Sequence, residues 1–310
     1  MKIVKYWNID TLKAKTHMWS PELTNTYLIP FIKPKPNDQY LDVGSGFSPL
    51  GHALYKHILP SGKIIGIDND QNMVTEANNF TKTMNLDKFM TFKQGDANSL
   101  DFQDNSFDAV MCQQLLVNLK EPENAILEMI RVSKKATGRL LIVENSNLGS
   151  YIHHPSLANK DNIKLTNIYQ KILILGKEKH EKGDTSLGSK IYELMNKCGL
   201  HNVYSQYIVP KIPELNYLYL KNDSKSIEAF SKQQTYQIEI FKYWAEKLIP
   251  NYLSNEDWDF FEEKLKNEEY NANAIKKNLP LIQIVHAYSI TIGWLKKQPL
   301  TQLIDIELNK

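Results

Sequence analysis

The sequence predicts an α/β fold, a doubly wound and mostly parallel sheet with helices on both faces. Three observations predict it. Short apolar runs of strand length alternate with helix-length stretches from residue 39 to residue 144. The first run opens into a glycine turn, Gly44-Ser45-Gly46. Carboxylates close the runs that follow, with Asp68 at the end of the second and Asp96 just past the third.

The elements follow in order. Gln39–Val43 reads as a short apolar strand feeding the glycine turn, and a helix is expected near His52–Ile58. Lys63–Ile67 is the second strand, after the Pro60-Ser61-Gly62 turn, and Gln71–Met84 the helix behind it. Met90–Gln94, Phe107–Cys112 and Arg139–Glu144 read as three more strands. Between the last two lies a helix at Glu121–Val132, with Pro122 suited to a first turn. Strands separated by helices of this length imply a parallel sheet.

Further on, Leu187, Ile191, Leu194, Met195 and Cys198 share one helical face, and Gly199 follows as a stop. Val203–Val209 reads as a strand, and Ile282–Trp294 as one long strand. Two insertions are expected to be helical. The first, around Asn162 to Lys177, carries Ile168, Tyr169, Ile172 and Leu175. The second, about Pro213 to Leu279, carries Ile238, Phe241, Ala245 and Leu248 on one face. It then has Trp258, Phe261 and Leu265 behind a capping signal at Ser254 and Asp257. Tyr217, Tyr219, Tyr236, Tyr243, Trp244, Trp258 and Tyr270 also fall in it. Such aromatics suit a thin helical core and equally a pocket for a planar or cationic molecule.

Composition narrows the function classes. The 310 residues are 42% hydrophobic and 23% charged, which provides for a core. Lys+Arg number 37 against 35 Asp+Glu, a net charge of +2, which argues against a dedicated nucleic-acid binder. Only Arg131 and Arg139 are arginine, so guanidinium recognition of phosphates is scarce. Two cysteines, Cys112 and Cys198, make neither a disulfide framework nor a four-ligand metal site, and no metal is expected. The start, MKIVKYWNID, has no apolar leader pattern, and no apolar run is long enough to span a bilayer. A cytoplasmic protein without membrane contact is the expectation.

The chemistry concentrates at Leu41 to Gly51 and the two carboxylates beyond it. Gly44 and Gly46 let a backbone approach a ligand closely. Asp42 precedes the first glycine by two residues. Asp68 lies 22 residues after Gly46, the spacing at which a carboxylate meets ribose hydroxyls in nucleotide-binding α/β folds. A nicotinamide site would carry a third glycine where Pro49 stands, and no phosphate-loop lysine follows. The loop therefore suits an adenosine ligand without phosphate.

The segments DVGSGFSPLG, GKIIGIDNDQNMVTEA, FKQGDANSLDFQDNSFDAVMCQQLLVNL and ENAILEMIRVSKKATGRLLIVE resemble successive motifs of the class I S-adenosylmethionine-dependent methyltransferases. The nearest subgroup in style is that of the ubiquinone/menaquinone-biosynthesis enzymes. The resemblance covers residues 32–144, then Ser186–Val209 and Ile282–Lys297 as a last helix and an antiparallel strand pair. It implies a Rossmann-like sheet of seven strands, the last antiparallel, with helical cap insertions. It also implies S-adenosyl-L-methionine as cofactor, with S-adenosyl-L-homocysteine as product.

The roles it implies are these. Asp42 orients the glycine loop and the methionine amino group, and Gly44, Ser45 and Gly46 lie against the methionine part. Asp68 accepts from the ribose hydroxyls, while Asn69 and Met73 flank the adenine. Asp96 receives the adenine amino group, Ala97 donates its backbone N–H to a ring nitrogen, and Gln113 lies by the cofactor's amino end. The sequence departs from the family at Ser48, where a third glycine is common, and at Val117-Asn118, where many relatives carry His-His.

The expected organisation is a lid over 1–29, a cofactor core of 30–150, 186–212 and 280–298, substrate-cap insertions at 151–185 and 213–279, and a tail at 299–310. His153 and His154, just after the fifth strand, are candidate general bases for a hydroxyl acceptor. His286 falls in the last strand and reads as a packed residue. The expected partner is a small-molecule methyl acceptor, taking the methyl on oxygen or nitrogen. An RNA or protein methyltransferase is one alternative, and a regulatory protein that binds the cofactor without catalysis is another. The oligomeric state is open.

Overall fold

The computed structural model describes residues 9–179, 183–208, 238–265, 283–285 and 287–297. They divide into two compact units. The first holds residues up to 144 together with 187–207 and those from 289 onward; the second holds 145–186 and the residues between 208 and 288.

The first unit is a seven-stranded sheet with the order β3-β2-β1-β4-β5-β9-β7. Its strands are β1 (Gln39–Val43), β2 (Lys63–Asp68), β3 (Met90–Gln94), β4 (Ala109–Gln113), β5 (Arg139–Asn145), β7 (His201–Ile208) and β9 (Tyr288–Trp294). The first five pair in parallel, with Leu41 opposite Ile65 on one side and Val110 on the other. β9 runs antiparallel to β5, since Leu295 N–H bonds Gly138 at the start of β5 while Ser146, just past its end, bonds the Ala287 carbonyl. The Ser205–Thr291 hydroxyl pair at 2.8 Å sets β7 beside β9. The sheet is the mostly parallel one with an antiparallel last strand that the sequence predicts.

Helices cover it. They are α1 (Ile9–Lys15), α2 (Pro49–Leu54), α3 (Gln71–Thr83), α4 (Pro122–Val132) and, after the second crossover, α6 (Ile191–Lys197). α4 shows why the sequence folds this way. Pro122 fits its first turn, and Ala125, Ile126, Met129 and Val132 form the buried face. Each large side chain so buried contributes roughly 1.5–3 kcal/mol. That face packs into the cluster containing Val110, Cys112, Leu140 and Ile142. The expected helix at His52–Ile58 is instead α2 followed by a tighter turn over Tyr55–Ile58. Ser48 caps α2 by accepting the Gly51 N–H, which moves its start toward the glycine loop.

At the opposite end of the strands, both arginines are spent on structure. Arg139 donates to the Ile32, Lys33 and Asp108 carbonyls and pairs with buried Asp38. Arg131 binds the Leu100 and Phe102 carbonyls along with Glu128 and Asp104.

The second unit is helical with a small sheet. β6 (Tyr151–His153) pairs antiparallel with β8 (Gln283–Val285). α5 (Asn159–Lys171), a helix over residues 238–245 (α7) and α8 (Asn255–Leu265) pack Tyr169, Phe241, Trp244, Trp258 and Phe261 into one core. Ser254 caps α8 through the Asp257 N–H, and the Asp257 carboxylate turns to Lys164 at 3.0 Å. The aromatics Trp244 and Trp258 are therefore core residues. Tyr217, Tyr219, Tyr236 and Tyr270 lie outside the described residues.

One expectation is corrected. The long strand from Ile282 to Trp294 is two strands in two sheets, β8 and β9. The break is held at Ala287, whose carbonyl accepts from Ser146 and whose N–H donates to Ser150 Oγ. Residue 286 lies outside the described residues.

Candidate cofactor site

The site is built where β1, β2 and β4 end. After Val43 the chain turns through Gly44 (φ 64°), Gly46 (φ 51°) and Ser48 (φ 53°), a left-handed sequence that glycine tolerates and serine does not favour. Gly44 is bare because Leu115, from the loop after β4, presses on it; a Cβ would sit 2.5 Å from Leu115 Cδ1. At Gly46 a Cβ would meet nothing within 4 Å, so this part of the loop faces open space.

Asp68, ending β2, ties the loop down. One carboxylate oxygen accepts the Gly46 N–H at 3.0 Å, and the other accepts the Asp70 N–H at 3.0 Å. Asp70 then caps α3 through Asn72 and Met73. The Asp68 carbonyl accepts the Gly95 N–H at 3.0 Å, which joins the turn after β3 to the same edge. There Asp96 is exposed and accepts the Asn98 N–H, while Ala97 is buried. Asn69 is exposed and its carbonyl takes the Gln94 amide, whereas Met73 is buried in the core.

Beneath the loop lies Asp42, 1% exposed. Its Oδ2 accepts the Ser48 hydroxyl at 2.6 Å, and its Oδ1 is buried without a hydrogen-bond partner, as is Ser45 Oγ. Burial drives the Asp42 carboxyl up to about 7; the Ser48 hydrogen bond pulls it down, and the nearby Asp68 charge pushes it up. Two orphaned polar groups under an open glycine are the chemistry expected of a site that takes a polar ligand.

On the β4 side, Gln113 is buried. Its Oε1 accepts the Trp19 indole N–H at 3.0 Å and its amide donates to Met18 sulfur at 3.2 Å. Lys15 donates to Gln114 Oε1 at 2.7 Å. Thus Lys15, Met18 and Trp19 pack against the end of β4 in this unit. Glu144, fully buried at the end of β5, accepts the Leu116 N–H at 2.6 Å and so fixes the loop carrying Gln113 and Leu115. Glu144 is not among the residues the sequence singles out; its signal there is a carboxylate closing the wholly apolar run Leu140–Val143.

The two candidate histidines belong to the other unit. His153 is exposed on β6 opposite Gln283. His154 is buried, its Nδ1 accepts the Ser156 N–H, and Asn162 brackets its backbone. Burial, then the Lys264 charge, lower its pKa below the usual histidine value. Among the described residues, no three His, Cys, Asp or Glu side chains gather as a metal-ligand set. None of the described helices is long and apolar enough to cross a membrane.

A left-handed glycine loop clamped by a carboxylate at the next strand end, on a mostly parallel sheet in which β9 runs antiparallel, is the class I methyltransferase architecture. A methyltransferase domain family model matches residues 34–199, more than half of the 310, and the chain belongs to that family. It is 33% identical over 132 residues to an uncharacterized methyltransferase of Schizosaccharomyces pombe, covering 41% of this chain and 46% of that one. It is 37% identical over 115 residues to a demethylmenaquinone methyltransferase of Lactobacillus johnsonii, covering 37% and 47%. The chain thus spans about half the length of the curated relatives it matches. In fold it is similar to Haemonchus contortus phosphoethanolamine N-methyltransferase 2, solved with S-adenosyl-L-methionine. That match has a TM-score of 0.52 at 14% identity, covering 95% of this chain and 58% of that one.

Proposed function

We propose that this chain transfers the methyl group of S-adenosylmethionine to an oxygen or nitrogen of a small-molecule acceptor by in-line displacement, releasing S-adenosylhomocysteine. The observation that carries the reading is the Asp68 clamp on Gly46, which sets one carboxylate and one open glycine side by side at the sheet edge. The cofactor supplies an electrophilic sulfonium methyl. The chain supplies binding and alignment, which for well-oriented reactants amounts to roughly 7–11 kcal/mol.

In this reading Gly44, Ser45 and Gly46 receive the methionine part, and the free Oδ1 of Asp42 faces its ammonium end beside Gln113. Asp68 accepts from the ribose hydroxyls. Asn69 and Met73 flank the adenine, and Asp96 and Ala97 bind its edge. For a hydroxyl acceptor His153 is the candidate general base, because its ring is exposed while that of His154 is engaged.

A small acceptor is supported by relatives named for demethylmenaquinone and for phosphatidylethanolamine. The structural commitment of both arginines, with the +2 balance, weighs against a polyanionic acceptor. The cytoplasm is the proposed compartment, in keeping with two free thiols, one of them buried in β4.

Calorimetric titration with S-adenosylmethionine, S-adenosylhomocysteine and NAD tests the cofactor. Binding of the two sulfur nucleosides and not of NAD is expected; the reverse pattern, or no binding at all, would overturn the proposal. Methyl transfer to small amines and hydroxyls then tests the acceptor class.

A further inference from the structure

We infer that Glu144 is a positioning residue for the cofactor site. By accepting the Leu116 N–H it seats Leu115 on Gly44, and so sets how fully the glycine loop is formed before a ligand arrives. The inference rests on the reading above, in which that loop helps to bind the cofactor; Glu144 acts on the ligand only through Leu115.

Two residues near the end of β5 pin the loop after β4, one on each side of Leu115. The Val143 carbonyl accepts the Gln114 N–H at 2.9 Å, and the Glu144 carboxylate accepts the Leu116 N–H at 2.6 Å. Gln114 is left-handed there, φ 55°, a conformation that a residue other than glycine keeps only when its surroundings hold it. Asn118 closes the turn: its N–H donates to the Leu115 carbonyl at 2.9 Å and its side-chain amide to the Gln114 carbonyl at 2.8 Å. Leu115, held from both sides, fills the place where Gly44 would carry a Cβ, 2.5 Å from its own Cδ1.

The glycine loop is therefore held from two directions. Asp68 takes the Gly46 N–H directly from the β2 side. From the β4 side Glu144 works at one remove, with Leu115 as the wall against which Gly44 turns at φ 64°. The pin at Val143 is a backbone carbonyl that any residue supplies. The pin at 144 needs a side-chain acceptor, and it stands at 0% exposure after four apolar residues, where a carboxylate is costly to bury. A ligand that requires a formed loop binds in proportion to the fraction of molecules that have one, so a lost pin is read as weaker affinity. The Leu295–Gly138 and Ser146–Ala287 bonds set a register that places Ser289 of β9 opposite Glu144. Ser289 is equally buried, and its hydroxyl has no hydrogen-bond partner among the described residues, so it stands beside the relay without belonging to it.

The test is calorimetric titration of full-length variants with S-adenosylhomocysteine, with urea midpoints to report folding. Glu144→Met should bind about tenfold more weakly than wild type. Glu144→Gln keeps an oxygen for the Leu116 N–H and should recover most of that loss. Leu115→Ala should also weaken binding, and the double variant Glu144→Met/Leu115→Ala should bind no more weakly than the worse single variant, because both changes break one chain of contacts. Ser289→Ala alters the same buried place and should keep wild-type affinity. Additive losses in the double variant, or a Glu144→Gln as weak as Glu144→Met, would reduce Glu144 to general packing and overturn the inference while the cofactor reading stands. Leu115 is only half-buried, so Leu115→Ala carries the test even where Glu144→Met does not fold: wild-type affinity there also overturns the relay. Wild-type protein that does not bind S-adenosylhomocysteine overturns the cofactor reading and the inference with it.

Discussion

Ser48 donates its hydroxyl to Asp42 at 2.6 Å while accepting the Gly51 N–H at 3.2 Å, so one side chain both caps α2 and holds the carboxylate under the glycine loop. It does so from a left-handed backbone, φ 53°. Replacing it with glycine removes two buried hydrogen bonds, together about 2 kcal/mol, and relieves a strain of about 1–2 kcal/mol. Ser48→Gly should therefore change stability by no more than about 1 kcal/mol. Urea denaturation checks the first effect. The second is that Asp42, losing the bond that lowers its pKa, should titrate higher, and the pH dependence of S-adenosylhomocysteine binding should move up with it.

Asp42 also gives the fold a pH signature. Burial holds its carboxyl at about 7 in the native state, above the 3.8 of an unburied aspartate in the unfolded chain. Between those values the native protein binds more protons than the unfolded chain, so this group's contribution to stability falls as pH rises through the window. Asp42→Asn should flatten that slope, as read by denaturant midpoints from pH 4.5 to 8. Binding an ammonium beside Asp42 should release a proton near neutrality, so affinity should rise from pH 6 to pH 8. Calorimetry in buffers of different ionisation enthalpy measures the release.

Asp68 has two tasks, and its variants should separate them. Asp68→Ala removes the acceptor for Gly46 and Asp70 together with the proposed ribose contact. A charged hydrogen bond is worth about 1.5–3 kcal/mol, so the affinity for S-adenosylhomocysteine should fall about tenfold or more. Asp68→Asn keeps one acceptor oxygen and should retain more of the melting temperature than of the affinity. Wild-type affinity in Asp68→Ala would refute the ribose contact.

Arg139→Met should be severe although it lies at the other end of the strands. It leaves Asp38 buried without its cation and removes the guanidinium's hydrogen bonds to three carbonyls. Removing one partner of a buried pair costs about 3–5 kcal/mol, to be seen as a lowered urea midpoint. The effect on ligand affinity, measured below the unfolding transition, should be small.

Much of the first unit was legible because its signals are local. Apolar runs, the Pro60-Ser61-Gly62 turn and Pro122 are written within a few residues of the elements they start or stop. The parts that were not legible depend on distant partners. Nothing inside the run from Ile282 to Trp294 marks a break, since it contains no proline and its one glycine lies near the far end; the break is made where the Ala287 backbone bonds the Ser146 N–H and the Ser150 hydroxyl. Gln113 read as a residue by the ligand, yet its present partners, Met18 and Trp19, lie 95 and 94 residues away. In the same way, Glu144 revealed its purpose only when Leu116 was placed beside it.

The position of β9 sets a schedule for synthesis. It lies between β5 and β7, yet it comes after both in the chain and is the last of the described strands. As the chain leaves the ribosome, β5 presents an open parallel edge until residues 288–294 emerge, and β7 has no neighbour on which to dock. Exposed edges of this kind recruit other chains. A nascent or truncated product ending before residue 288 should therefore be a client for chaperones until β9 fills the place between β5 and β7.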